Sequence, residues 1–175
     1  MPDGCRLATR IWLPETAEQQ PVPAILEYIP YRKNDGTALR DSLYHPYFAG
    51  HGYAAVRADL RGRGDSDGVM LDEYLPQELD DAVSVIAWLA GQPWCSGNVG
   101  MMGKSWGGFN SLQVAALRPP ALKASSRSAP RTTATPTMCI TRALYLGRRH
   151  AGLGHDNAGV ERSTSRPCRV GRRLA

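Results

Sequence analysis

Gly103-Lys104-Ser105-Trp106-Gly107 sets a serine midway between two glycines. A serine hydroxyl acts as a nucleophile only when its oxygen is presented to a substrate and a base takes its proton. Where a strand runs into such a pentapeptide and a helix leaves it, the turn is too tight for a Cβ at neighbouring positions. The serine is then forced into strained geometry with Oγ exposed. Val99 to Met102 reads as a short buried strand, and Trp106 to Leu117 as a helix stopped by Pro119-Pro120. That context favours a nucleophile elbow over a Gly-rich loop holding an incidental serine. Ser105 is the candidate attacking group, and the N-terminus of the following helix favours the negative charge that develops.

The elements that must carry this turn are legible upstream. Leu7 to Leu13 alternates apolar with polar residues and is stopped by Pro14, which predicts a half-buried strand. Ala24 to Ile29, bounded by prolines, and Tyr53 to Ala58 predict two further strands, with a brief helix over Tyr44 to Ala49 between them. Leu75, Leu79, Ala82, Val83, Ile86 and Leu89 recur at helical spacing up to Gly91. Gln77, Glu78, Asp80 and Asp81 crowd the first turns of that helix, where negative charge suits the helix dipole. Strands alternating with helices predict an α/β fold with a mainly parallel sheet and flanking helices.

Composition excludes several classes. The chain has 175 residues, 42% of them apolar and 21% charged, which fits one globular domain. Cys5, Cys95, Cys139 and Cys168 have no C-x-x-C spacing, so neither a structural zinc site nor a redox dithiol is expected, and the thiols read as unpaired cytosolic ones. No basic-apolar leader opens the sequence and no apolar run approaches a membrane span, so the expected compartment is the cytoplasm. Gly62-Arg63-Gly64-Asp65-Ser66-Asp67-Gly68 follows a strand, but its third glycine is misplaced for a dinucleotide loop and Asp65 and Asp67 would repel a pyrophosphate. It reads as a turn cluster. Its Arg63-Gly64-Asp65 adhesion tripeptide is a chance match. No cofactor or metal is expected. Glu27 and Arg57 fall on core strands and can form a buried ion pair or sit at the rim.

The formal charge of +5 invites a nucleic-acid partner until it is divided along the chain. Residues 125–175 carry ten Arg against Asp156 and Glu161, a net +8, which leaves −3 for residues 1–124. The basic stretch lacks interleaved aromatics and any apolar period, so only nonspecific, salt-sensitive binding would follow from it. A noncatalytic protein using that tail is the alternative from another class.

Several stretches, in order, resemble one family: Asp3-Gly4-Cys5-Arg6-Leu7-Ala8, then Pro30-Tyr31-Arg32-Lys33, then Gly52 to Gly68, then Trp94-Cys95-Ser96-Gly97-Asn98-Val99-Gly100, then the elbow. They are similar to the X-prolyl dipeptidyl peptidase and cocaine esterase group of α/β-hydrolase serine enzymes. The resemblance implies the N-terminal part of an α/β-hydrolase fold over residues 1–124. It implies cleavage of an ester or amide through an acyl-enzyme on Ser105, with a small ester or peptide as substrate. It also implies two oxyanion donors, the Tyr31 hydroxyl and the Trp106 backbone N–H. An acylase or amino-acid ester hydrolase of the same fold is the alternative within the enzyme class.

The triad is incomplete. In this fold the acid and then the histidine follow the serine. After Ser105 the histidines are His150 and His155, both in the patternless stretch, and Asp156 and Glu161 fall on the wrong side of them; His45 and His51 precede the serine. The triad Asp and His are therefore absent from their expected places, and this chain is expected to be inactive or nearly so. Codons read one base earlier offer a reason. The triplet spanning Met138 and Cys139 is then forced to GTG, Thr132 through Thr141 can read DDRYADDVHY, and Ser125 onward can read IITVCST. That is similar to what the family carries after the elbow helix. Residues 125–175 are therefore expected to be a frameshifted, disordered tail, with the truncated sheet left open at an edge.

Overall fold

The computed structural model describes residues 1–129 and 139–145. Nine elements follow in chain order: β1 (Thr9–Trp12), β2 (Val22–Ile29), α1 (Ala38–Gly50), β3 (Ala54–Asp59), α2 (Pro76–Ala90), β4 (Cys95–Lys104), α3 (Trp106–Ala116), β5 (Leu122–Ala129) and β6 (Cys139–Tyr145). The strands form one sheet in the order β1-β3-β2-β4-β5-β6. The four inner strands run parallel, and β1 and β6 close the two sides antiparallel. The predicted mainly parallel α/β sheet with flanking helices is what forms.

Burial explains why these segments became strands. All six residues of β3 are buried, and β2 buries Ala24, Leu26, Tyr28 and Ile29 in the core. Continuous burial without alternation is what a strand covered on both faces requires. Helix α2 packs on β4, and α3 packs on β4 and β5. The inward stripe of α2 is Ala82, Val85, Ile86 and Leu89, and Pro76 stands in its first turn, where a missing N–H costs nothing.

Two expectations change. Helix α1 starts at Ala38, six residues before the predicted Tyr44, and carries Pro46 inside it. Its buried face is Asp41, His45 and Ala49, whereas Leu39, Leu43, Tyr44 and Tyr47 are exposed. An apolar-periodicity argument finds the wrong face of such a helix, because the inward side is selected by ionic partners. The second change concerns Ala124. The sheet continues through it: β5 runs to Ala129 beside β4, and β6 pairs with β5, so the edge of β4 is not left open. Strand pairing is made by backbone groups, which Ser125, Ser126 and Arg127 carry as well as any apolar residue. The rest of the expected tail lies outside the described residues.

Candidate active site

Ser105 stands at the junction of β4 and α3, exposed, with φ 53° and ψ −113°. A positive φ at a non-glycine residue is strained, and the surrounding contacts hold it there. Its N–H donates to the Ser128 carbonyl of β5 at 3.1 Å, and its carbonyl accepts the first helical bond of α3, from Phe109 N–H, at 3.0 Å. The glycines are explained by space. A Cβ on Gly103 would enter the backbone of Gly107, and one on Gly108 would lie 3.0 Å from the Gly103 carbonyl oxygen. A Cβ on Gly107 would meet the Ile29 side chain. The sharp strand-to-helix turn predicted from sequence is present.

Trp106 is the first residue of α3, so its N–H precedes the first intrahelical bond and has no acceptor within the helix. Its ring is half-buried, with the Tyr74 ring 4.9 Å away. Tyr74 is itself strained at φ 57°. Burial raises the Tyr74 phenol above its usual value, and the nearby Glu73, Glu78 and Tyr31 add to the shift.

Tyr31 belongs to the same corner. Leu26 of β2 pairs with Met101 of β4, and each strand ends three residues later, at Ile29 and Lys104. Tyr31 and Ser105 therefore leave the carboxyl ends of adjacent parallel strands. In open α/β sheets this is the edge where ligands bind. Tyr31 is 42% exposed, so its position is set by its neighbours in the chain. On one side, Arg57 Nη1 donates to the Ile29 carbonyl at 3.4 Å. On the other, Lys33 N–H donates to Asp59 Oδ1 at 2.9 Å, and the Lys33 ammonium lies 3.2 Å from Asp59 Oδ2. Arg32 between them has φ 48°, and Gly36 is required because a Cβ there would enter the Tyr31 carbonyl.

The network that fastens this loop is almost wholly buried. Arg57 is fully buried, with Nε 3.2 Å from Asp41 and Nη1 3.4 Å from Asp59. Burial lowers its pKa, opposed first by Asp41 and then by Glu27 and Asp59. Glu27 and Arg57 are both interior, as one of the two sequence readings allowed, but 3.9 Å apart, and Glu27 is held mainly by Arg40 at 2.6 Å. Glu27, Asp41 and His45 come close enough to suggest a metal site. Arg40 contacts both carboxylates, and Arg57 closes on Asp41. The guanidinium groups already occupy the place of a cation, so these residues form an ion-pair network.

Sequence reasoning did not single out Lys33, Asp41, Asp59 or Glu78 as parts of this corner. Asp59 carried a signal, a charged residue at the end of a core strand. Asp41 had none, because its helix was not placed there.

The profile of the family described as X-Pro dipeptidyl-peptidase (S15 family) matches residues 3–146. The chain belongs to this family. Among curated relatives, the cocaine esterase of Rhodococcus sp. (strain MB1 Bresler) is 38% identical over 131 residues, 73% of this chain and 22% of that protein. The Xaa-Pro dipeptidyl-peptidase of Lactobacillus helveticus is 34% identical over 95 residues, 45% of this chain and 12% of that protein. Among solved structures, a CocE/NonD family hydrolase from Staphylococcus aureus superposes with a TM-score of 0.62 at 31% identity, over 71% of this chain and 25% of that one. An alpha-amino acid ester hydrolase gives 0.56 at 30% identity, over 71% and 23%. The chain thus spans about a quarter or less of the length of these relatives, and its sheet is part of an α/β-hydrolase fold. The match to residue 146 takes in β5 and β6. No helix among the described residues is long and apolar enough to cross a membrane.

Proposed function

We propose that this chain carries the nucleophile and oxyanion half of a serine hydrolase that cleaves an ester or amide. The observation that carries the proposal is the strained, exposed Ser105 at the β4–α3 junction, between glycines that leave no room for a side chain. In the reaction, Ser105 Oγ attacks the substrate carbonyl carbon, and the C=O pair moves onto the oxygen. The Tyr31 hydroxyl and the Trp106 N–H stabilise that oxyanion. The Oγ proton passes to a histidine base and from it to the departing alcohol or amine. Water then attacks the acyl-enzyme with the same proton route reversed. Xaa-Pro peptides, aromatic esters and amino-acid esters are the substrate classes suggested by the named relatives.

We propose that the histidine base belongs to sequence this chain does not carry, and that residues 125–175 are a translation in a shifted frame that replaces it. One observation in β5 supports this: Arg127 Nε is buried without a hydrogen-bond partner, and the neighbouring frame offers threonine at that place. The chain is therefore expected to react only slowly with a fluorophosphonate. The test is the coding DNA followed by expression with the frame restored. Rapid labelling that Ser105→Ala abolishes is expected from the restored protein. Rapid labelling of the present chain, or none from the restored one, would refute the proposal.

A further inference from the structure

Glu78, in the first turn of α2, is only 7% exposed and receives three hydrogen bonds, none from a cation. Trp106 Nε1 donates to Oε1 at 2.7 Å, Asn110 Nδ2 donates to the same oxygen, and Tyr74 N–H donates to Oε2 at 2.9 Å. Trp106 and Asn110 are one turn apart on α3, so the carboxylate grips that helix at two successive turns. Through Tyr74 it also fixes the strained loop residue whose ring lies beside Trp106.

The first turn of α3 needs such a hold. Gly107 and Gly108 follow Trp106 directly, and glycines are the residues with most backbone freedom. Between Ser105 and Phe109 the Trp106 indole is the one side chain available to anchor the backbone. We propose that Glu78 is a positioning residue for the oxyanion hole. By holding the indole from its N–H, and Tyr74 over its face, it sets the direction of the Trp106 backbone N–H. This rests on the reading of Ser105 as nucleophile and Trp106 N–H as oxyanion donor. An oxyanion hole continues to act when the triad is broken, so the role is measurable in the present chain.

The experiment follows acetylation of Ser105 by p-nitrophenyl acetate in the 175-residue chain. Intact mass is the readout, the Ser105→Ala rate is subtracted, and ester concentration is varied. Alongside it, the Trp106 indole N–H resonance is recorded, assigned with Trp106→Phe. Glu78→Gln keeps the size but faces the Tyr74 N–H with a donor or gives up the indole bond. It is expected to shift the indole resonance and lower the maximal acetylation rate by about tenfold or more, with half-saturation and Tm little changed. Glu78→Asp, which keeps the charge, recovers part of the rate and is the deciding variant if Glu78→Gln does not fold. A moved indole resonance with an unchanged rate overturns the positioning role alone. No Ser105-dependent acetylation in the unaltered chain overturns this proposal, while the reading of Ser105 as nucleophile stands or falls with labelling of the frame-restored protein.

Discussion

Asp59 binds Lys33 twice, accepting the backbone N–H at Oδ1 (2.9 Å) and facing the ammonium with Oδ2 (3.2 Å), both side chains being buried. Lys33 is two residues beyond Tyr31, so this double contact fixes where the tyrosine loop returns to the sheet. Asp59→Ala leaves Lys33 and Arg57 with a lost buried partner and should cost about 3–5 kcal/mol in urea unfolding. A loss below 1 kcal/mol would show that the network is not what holds the loop.

Ser105 is in a backbone region that glycine enters freely, at φ 53°. Ser105→Gly should therefore raise stability by about 1 kcal/mol, while Ser105→Ala, with its Cβ retained, should not. Both variants lose acylation. Equal unfolding midpoints for the two would remove strain from the account of the elbow.

Gly107 faces Ile29 across the α3–β2 contact, where a Cβ would lie about 2.5 Å from the Ile29 Cγ2 methyl. Gly107→Ala should cost about 1–3 kcal/mol by overpacking. Adding Ile29→Ala removes the clash, so the two changes together should cost less than the sum of the two alone. Strict additivity in a double-mutant cycle would contradict the contact.

Arg61 holds the buried Asp81 through Nε (2.7 Å) and Nη2 (2.8 Å) and reaches the half-exposed Asp3 at 2.7 Å. The Arg61 hydrogen bond, helped by the Cys5 N–H, holds the Asp3 carboxyl below its usual 3.8. A depressed folded value means that this contact stabilises the fold above the unfolded pKa and is lost as pH falls below about 4 through the folded one. In Arg61→Ala the Asp3 carboxyl, followed by NMR, should titrate at a higher pH than in the unaltered chain. The exposed pair contributes little to stability, so a loss of about 3 kcal/mol or more at neutral pH would come from the buried Asp81, left with the Gln77 amide and no cation.

Much of the site was legible without coordinates because its signals are local. The elbow is written in glycine spacing between a strand period and a helix period, all within one short stretch, and the first four strands and the last two helices follow from similar windows. Helix α1 was misplaced for a reason that is also physical: its buried positions are Asp41 and His45, polar residues that a window scores as solvent-facing.

The sequence alone determined the strand-turn-serine-helix geometry and the family, since glycine sterics and apolar periods act over a few neighbouring residues. Only the tertiary structure decided which charges turn inward. Glu78 lies 28 and 32 residues from Trp106 and Asn110, and Asp59 lies 26 from Lys33. In the first turns of α2 the same acidic cluster divides, Glu78 and Asp81 inward and Asp80 to solvent. A carboxylate is driven out of the core by desolvation unless donors meet it there, and whether they do depends on distances that no local window contains.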